Sequence, residues 1–183
     1  MSKAYCFLAD GSEEVEALSV VDILKRGKID VELVSVMGRK EIISSHNIHI
    51  VTDKLIEEVN FDEADMIFLP GGIPGTPNLK ANKLLCDNII DFNNKDKLLA
   101  AVCAAPSIYG ELGILKGKKA TCYPGFEEKL EGAIYVSDRV VTDGNITTSR
   151  GLGTSLELGF RLLEIFTGKE AAEEMKRKVQ FIC

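Results

Sequence analysis

A membrane-length apolar run is missing at the start of this chain: the first one, Ala4 to Ala9, falls far short of the roughly 20 residues that a spanning helix needs. It also lacks the basic flank and small-residue cleavage site of a secretory signal. No membrane role is expected, and the reading is a cytoplasmic protein. Lysine- and arginine-rich runs with interleaved aromatics are absent too, and the formal net charge is -6. That balance repels a phosphate backbone, so nucleic acid is excluded as a partner. The two histidines, His46 and His49, lie together, and no CxxC pair exists, so zinc-ligand spacing is missing and no metal is expected. Five cysteines, Cys6, Cys86, Cys103, Cys122 and Cys183, are odd in number and widely scattered. They read as free thiols and not as a secreted disulfide framework.

Repeats, low-complexity tracts and long Gly/Ser/Pro linkers are likewise missing, and 183 residues with 45% hydrophobic content suit one domain, 1–183, with a sizeable core. What is present is alternation. Strand-like runs at Ala4–Ala9, Val31–Val36, Met66–Leu69 and Leu98–Val102 are separated by helical patterns, which predicts an α/β fold on a mostly parallel sheet. The first helix has its limits written in: Ser12 as cap, Glu13 and Glu14 at the positive end, Lys25 and Arg26 at the negative end, Gly27 as the stop. Ala17, Leu18, Val21 and Leu24 give its buried face. A second helix is expected from Lys83 to Asn94, with Leu84, Leu85, Ile89, Ile90 and Phe92 toward the sheet. Val140-Val141-Thr142 and Ile146-Thr147-Thr148 flank a turn and predict a hairpin. Thr154 with Glu157 reads as a capping box opening a helix through Phe166, and a last helix runs from Lys169 to Lys178. Residues Ile42 to Val51 read as a hairpin or edge excursion.

In an open parallel sheet the ligand crevice lies beyond the carboxyl ends of the strands, and three features fall there. They are Asp10-Gly11-Ser12-Glu13-Glu14-Val15-Glu16, Pro70-Gly71-Gly72-Ile73-Pro74-Gly75, and Cys103. Cys103 sits where Leu98–Val102 turns abruptly into a helix-like segment, Ala104 to Leu112, whose free N–H groups and dipole would stabilise a thiolate. A buried core cysteine is the alternative. Gly71-Gly72 could offer an oxyanion donor together with the N–H of Ala104, or be a plain tight turn. Glu13 and Glu14 are explained by the helix dipole, whereas Glu16 shares a stripe with Val20 and Ile23. A carboxyl group there would tend to stay protonated and could hydrogen-bond the thiolate and move protons; a solvated helix residue is the other reading.

These residues resemble the ThiJ/PfpI superfamily, and within it the DJ-one (parkinsonism-associated) branch. The resemblance covers essentially the whole chain. It rests on Ala9-Asp10-Gly11-Ser12-Glu13-Glu14-Val15-Glu16, Leu69-Pro70-Gly71-Gly72, Ala101-Val102-Cys103-Ala104-Ala105-Pro106 and Thr148-Ser149-Arg150-Gly151-Leu152-Gly153-Thr154, in that order. It implies a flavodoxin-like three-layer sandwich, a homodimer, an elbow cysteine at Cys103 with a protonated carboxyl partner at Glu16, and oxyanion donors at Gly72 and Ala104. Protease and amidase relatives carry a histidine directly after the elbow cysteine, where this chain has Ala104. Some relatives place a histidine in the segment matching Thr121-Cys122-Tyr123-Pro124, where Tyr123 could instead donate a hydrogen bond. Cys122 is either a second thiol near Cys103 or a packed strand residue. Arg150 would aid substrate anions or hold its loop against a carboxylate. His46 could reach the site from a partner subunit, and helix one with the excursion near His46 is the expected dimer surface. Gly151-Leu152-Gly153 lacks the glycine spacing of a dinucleotide fingerprint.

The activity the resemblance implies is cofactor-free handling of small reactive aldehydes. Two versions use the same residues: a glyoxalase turning a 2-oxoaldehyde such as methylglyoxal into a hydroxy acid, and a deglycase acting on early glycation adducts. A redox sensor or stress-linked chaperone working through Cys103 oxidation is the alternative. A peptidase or amidase ranks last, because the local histidine is missing.

Overall fold

The computed structural model describes residues 2–181; Cys183 lies outside them. In chain order the elements are β1 (Lys3–Leu8), α1 (Glu14–Arg26), β2 (Asp30–Ser35), β3 (Glu41–Ile43), β4 (His49–Val51), β5 (Lys54–Leu55), β6 (Met66–Leu69), α2 (Gly75–Ala81) and α3 (Lys83–Asn94). Then follow β7 (Leu98–Val102), α4 (Pro106–Glu111), β8 (Lys119–Ala120), β9 (Ile134–Tyr135), β10 (Val140–Asp143), β11 (Ile146–Ser149), α5 (Ser155–Thr167) and α6 (Lys169–Lys178).

Seven strands form one sheet in the order β10-β11-β7-β6-β1-β2-β5, parallel except for β10, which runs antiparallel to β11. Strands β1, β6 and β7 sit in the middle and read as continuous apolar runs because both of their faces are covered. Alternate side chains divide between two cores. Tyr5, Phe7, Ile67, Leu69 and Leu99 meet Leu85, Ile89 and Phe92 of α3 and Ile108 and Tyr109 of α4. Cys6, Leu8, Met66, Phe68 and Val102 meet Ala17, Val20, Ile23 and Leu24 of α1 and Leu158, Leu162 and Leu163 of α5. The result is a flavodoxin-like α/β arrangement, as expected. Among the described residues, no helix is long and apolar enough to cross a membrane.

Several local expectations are corrected. Ser12 does not cap α1: its hydroxyl accepts from the Ala9 N–H, and the Glu13 side chain caps the helix by accepting from the Glu16 N–H at 2.6 Å. Leu18 is 41% exposed and Val20 and Ile23 are buried in its place; the stripe of Glu16, Val20 and Ile23, not Leu18, faces the sheet. Leu84 and Ile90 of α3 also lie outward. The Thr154–Glu157 box does not form. Thr154 bonds back to Gly151 and Ser149, while Glu157 takes a bidentate contact from Arg139. Residues 42–51 do form the expected hairpin, β3 with β4.

Candidate active site

The carboxyl ends of β1, β6 and β7 are neighbours in the sheet, so the loops that follow them converge. Cys103 is the first residue after β7. Its N–H donates to Ser149 O at 3.0 Å and its carbonyl accepts from the Tyr123 N–H at 2.8 Å. Held on both sides, it adopts φ = +64°, a left-handed conformation that costs a side-chain-bearing residue about 1–3 kcal/mol and persists only where the surroundings enforce it. The expected long helix behind it is shorter: α4 has six residues and starts at Pro106.

Glu16 comes to the same place from α1. It is 2% exposed, and one carboxyl oxygen accepts from the Gly71 N–H at 2.9 Å. The Cys103 thiol and the Leu152 N–H also hydrogen-bond to its carboxyl. Burial is the largest influence and pushes Glu16 up to about 7. Burial likewise raises Cys103, and with the negative charge and hydrogen bond of Glu16 carries it to about 12, against the pull of the Ala104 and Gly72 N–H groups. The thiolate stabilisation expected from the N–H groups at this bend is present but is outweighed by burial and by the charge of Glu16. Two adjacent buried anions are what this pocket resists. Between about pH 7 and 12 the pair keeps one proton. On sulfur it leaves a carboxylate; on Glu16 it leaves a thiolate that keeps the Ala104 and Gly72 donors and gains a hydroxyl donor.

The two glycines are steric requirements. A Cβ on Gly71 would lie 2.6 Å from Cys103 Cβ and 2.8 Å from Glu16 Oε2. Gly72 has φ = +96°, and a Cβ on it would lie 2.3 Å from Gly11 O. Either addition would push the loop off the thiol.

The remaining sequence candidates divide. Tyr123 is half exposed, and its ring lies beside Gly151, 3.3 Å from where a Cβ would sit. Arg150 donates to the carbonyl of Ser137 at 3.2 Å, not to a carboxylate. Both border a recess of about 290 Å³ that also takes in Pro124, Gly151 and Leu152. A cavity of about 980 Å³ lies elsewhere, by Phe160 and Arg161, and none of Cys103, Glu16 or Gly72 lines it. His46 pairs with Glu14 at 2.8 Å. Cys122 is buried, and burial pushes its thiol up to about 11; Cys6 is buried and raised further by the same cause. Sequence reasoning missed the Leu152 N–H, because a backbone donor leaves no mark on residue type, and missed Glu13 as the cap that orients the start of α1.

This constellation can be compared with known proteins. The DJ-1/PfpI family model matches residues 2–165. The chain belongs to the DJ-1/PfpI family. It is 35% identical to protein dj-1beta of Drosophila melanogaster, covering 97% of this chain and 96% of that one. It is 42% identical to protein DJ-1 homolog B of Arabidopsis thaliana over 92% of its own length, but spans only 39% of that protein and 44% of DJ-1 homolog A from the same plant. Among solved structures, oxidized DJ-1 of Toxoplasma gondii superposes with a TM-score of 0.94 at 30% identity, covering 98% of each chain. A DJ-1 superfamily protein of Salmonella typhimurium, crystallised as a cysteine-to-alanine mutant, gives 0.93 at 30% identity over 98% of each chain.

Proposed function

We propose that this DJ-1/PfpI chain is a cofactor-independent enzyme of small reactive aldehydes, converting a 2-oxoaldehyde such as methylglyoxal to its 2-hydroxy acid. The observation that carries the reading is the hydrogen-bonded Cys103–Glu16 pair, with the N–H groups of Ala104 and Gly72 turned to the sulfur. With the proton on Glu16, the Cys103 thiolate adds to the aldehyde carbon and forms a hemithioacetal. Ala104 and Gly72 hold the charge that develops on oxygen. Glu16, having given its proton to that oxygen, removes the hydrogen from the former aldehyde carbon and returns a proton to the neighbouring carbon, while the hydroxyl proton passes to the neighbouring oxygen, leaving a thioester that carries a 2-hydroxyl. Water hydrolyses the thioester, releasing the hydroxy acid and restoring the thiol. Aldehyde plus one water gives the acid, with oxidation of one carbon balanced by reduction of its neighbour. A deglycase reaction on early glycation adducts would begin with the same thiolate. Ala104, where a general-base histidine would be needed, speaks against peptide cleavage.

The test is lactate formation from methylglyoxal by wild type, Cys103→Ser and Glu16→Gln. Turnover that both substitutions reduce at least a hundredfold supports the proposal; no turnover by wild type at high enzyme concentration refutes it. A second reading rests on the same pair: Glu16 and the two N–H groups would also hold a Cys103 sulfinate, and the Toxoplasma relative was solved oxidized. Peptide mass spectrometry after mild peroxide should find Cys103 oxidised ahead of Cys86, Cys122 and Cys6, and a different preferred thiol would exclude it.

We also propose a homodimer. Val15 and Leu18 of α1 and Ile43, Ile48 and Val51 of the β3–β4 hairpin expose apolar side chains, Val51 to 70%, which supports burial against a second copy.

A further inference from the structure

The N-terminus of α1 gathers more buried negative charge than its surroundings balance. Glu13 and Glu14 are both buried, and among the described residues no lysine or arginine pairs with either. Glu13 uses one carboxyl oxygen to cap the helix at Glu16 N–H. Its other oxygen, Oε1, is buried with no hydrogen-bond partner among the described residues, on a side chain 11% exposed. Such an orphaned acceptor is costly unless something fills its place. That oxygen points toward His46, whose Nδ1 lies 3.9 Å away and 2.8 Å from Glu14 Oε1. One ligand atom each from Glu13, Glu14 and His46 falls within 4.8 Å of the others. Ligands of a tetrahedral zinc ion, each about 2.0–2.2 Å from the metal, stand about 3.4 Å apart, so the set closes with small side-chain rotations.

From this geometry we infer that Glu13, Glu14 and His46 form a binding site for a first-row divalent cation, zinc being the best match to two carboxylates and an imidazole. An imidazole disfavours calcium or magnesium, which take oxygen ligands. The helix dipole contributes only about half a positive charge at this end, against two full negative charges. His46 lies at the hairpin tip beside the proposed dimer face, and in the single chain its side chain is 68% exposed. The metal takes the place of the His46–Glu14 contact, and Glu13 Oε1 gains its missing partner. The ligands come from a helix start and from a hairpin over thirty residues away, and Cys103 is not one of them.

The experiment is titration of chelator-treated full chain with Zn²⁺ against a zinc indicator, followed by Co²⁺ spectroscopy. One ion per chain is expected, with a cobalt spectrum free of thiolate charge-transfer absorption. His46→Ala, a change at an exposed side chain that leaves the fold intact, should weaken binding at least tenfold, as should Glu14→Gln. His49→Ala and Cys103→Ser should leave the affinity within twofold. Absence of zinc uptake by wild type, or uptake that survives His46→Ala and disappears in Cys103→Ser, overturns the inference.

Discussion

A single proton divides the work between Cys103 and Glu16, and its position sets measurable behaviour. Because Glu16 is raised to about 7 from an ordinary value near 4.5, folded protein holds that proton more tightly than unfolded chain. Its stabilising contribution is full below about pH 4.5 and is lost as pH rises through about 7, a difference of roughly 3 kcal/mol. In chelator-treated samples, urea melts of wild type should lose stability over that window, and Glu16→Gln should remove this component of the pH dependence. The proposed reaction needs the pair with one proton, so kcat/KM for methylglyoxal should climb through about pH 7 and hold a plateau above it. A flat profile from pH 5 to 9 would contradict that assignment. Gly71→Ala tests the pocket's shape: the added methyl meets Cys103 and Glu16, so activity should fall at least tenfold while far-UV circular dichroism is retained.

At the level of elements, α4 is fixed to the segment before β9 by contact too close for any side chain. A Cβ on Gly110 would lie 2.2 Å from Lys129 O and 2.7 Å from Glu131 N, both backbone atoms with little freedom to move. Gly110→Ala should therefore cost roughly 1–3 kcal/mol in denaturant unfolding, even though alanine is the better helix former. Phe92, wholly buried where α3 lies on the sheet, should cost about 3–5 kcal/mol as alanine. Periodicity showed where α3, α6 and the β10–β11 hairpin begin and end, because each has a clear apolar face or turn. It did not show which way Leu18 faces, since α1 is covered by both the sheet and α5 and its buried stripe is wider on the Val20 side. The capping roles of Ser12 and Thr154 were misread for a related reason: a hydroxyl near a helix start has several backbone partners in reach, and only the folded loop selects among them.

For the whole molecule, the proposed second copy covering α1 and the β3–β4 hairpin predicts a dimer mass by light scattering, and Val51→Asp should shift it toward monomer. The sequence by itself determined the alternation of strands and helices, the family, and the three strand-end loops, since apolar runs, turn residues and motif order are local properties of the chain. Only the tertiary structure decided what those loops do to one another. Glu16 is acidic chemistry in any sequence, but its raised affinity for a proton comes from burial beside Cys103, Gly71 and Leu152. Cys103 likewise owes its raised thiol to desolvation and to a neighbouring charge 87 positions earlier in the chain. The same holds for Glu13, Glu14 and His46: no ligand spacing marks them in sequence, because the distance between them is set by how the hairpin folds over a helix end. Charge, desolvation and donor geometry are sums over neighbours in space, and those neighbours exist only once the chain has folded.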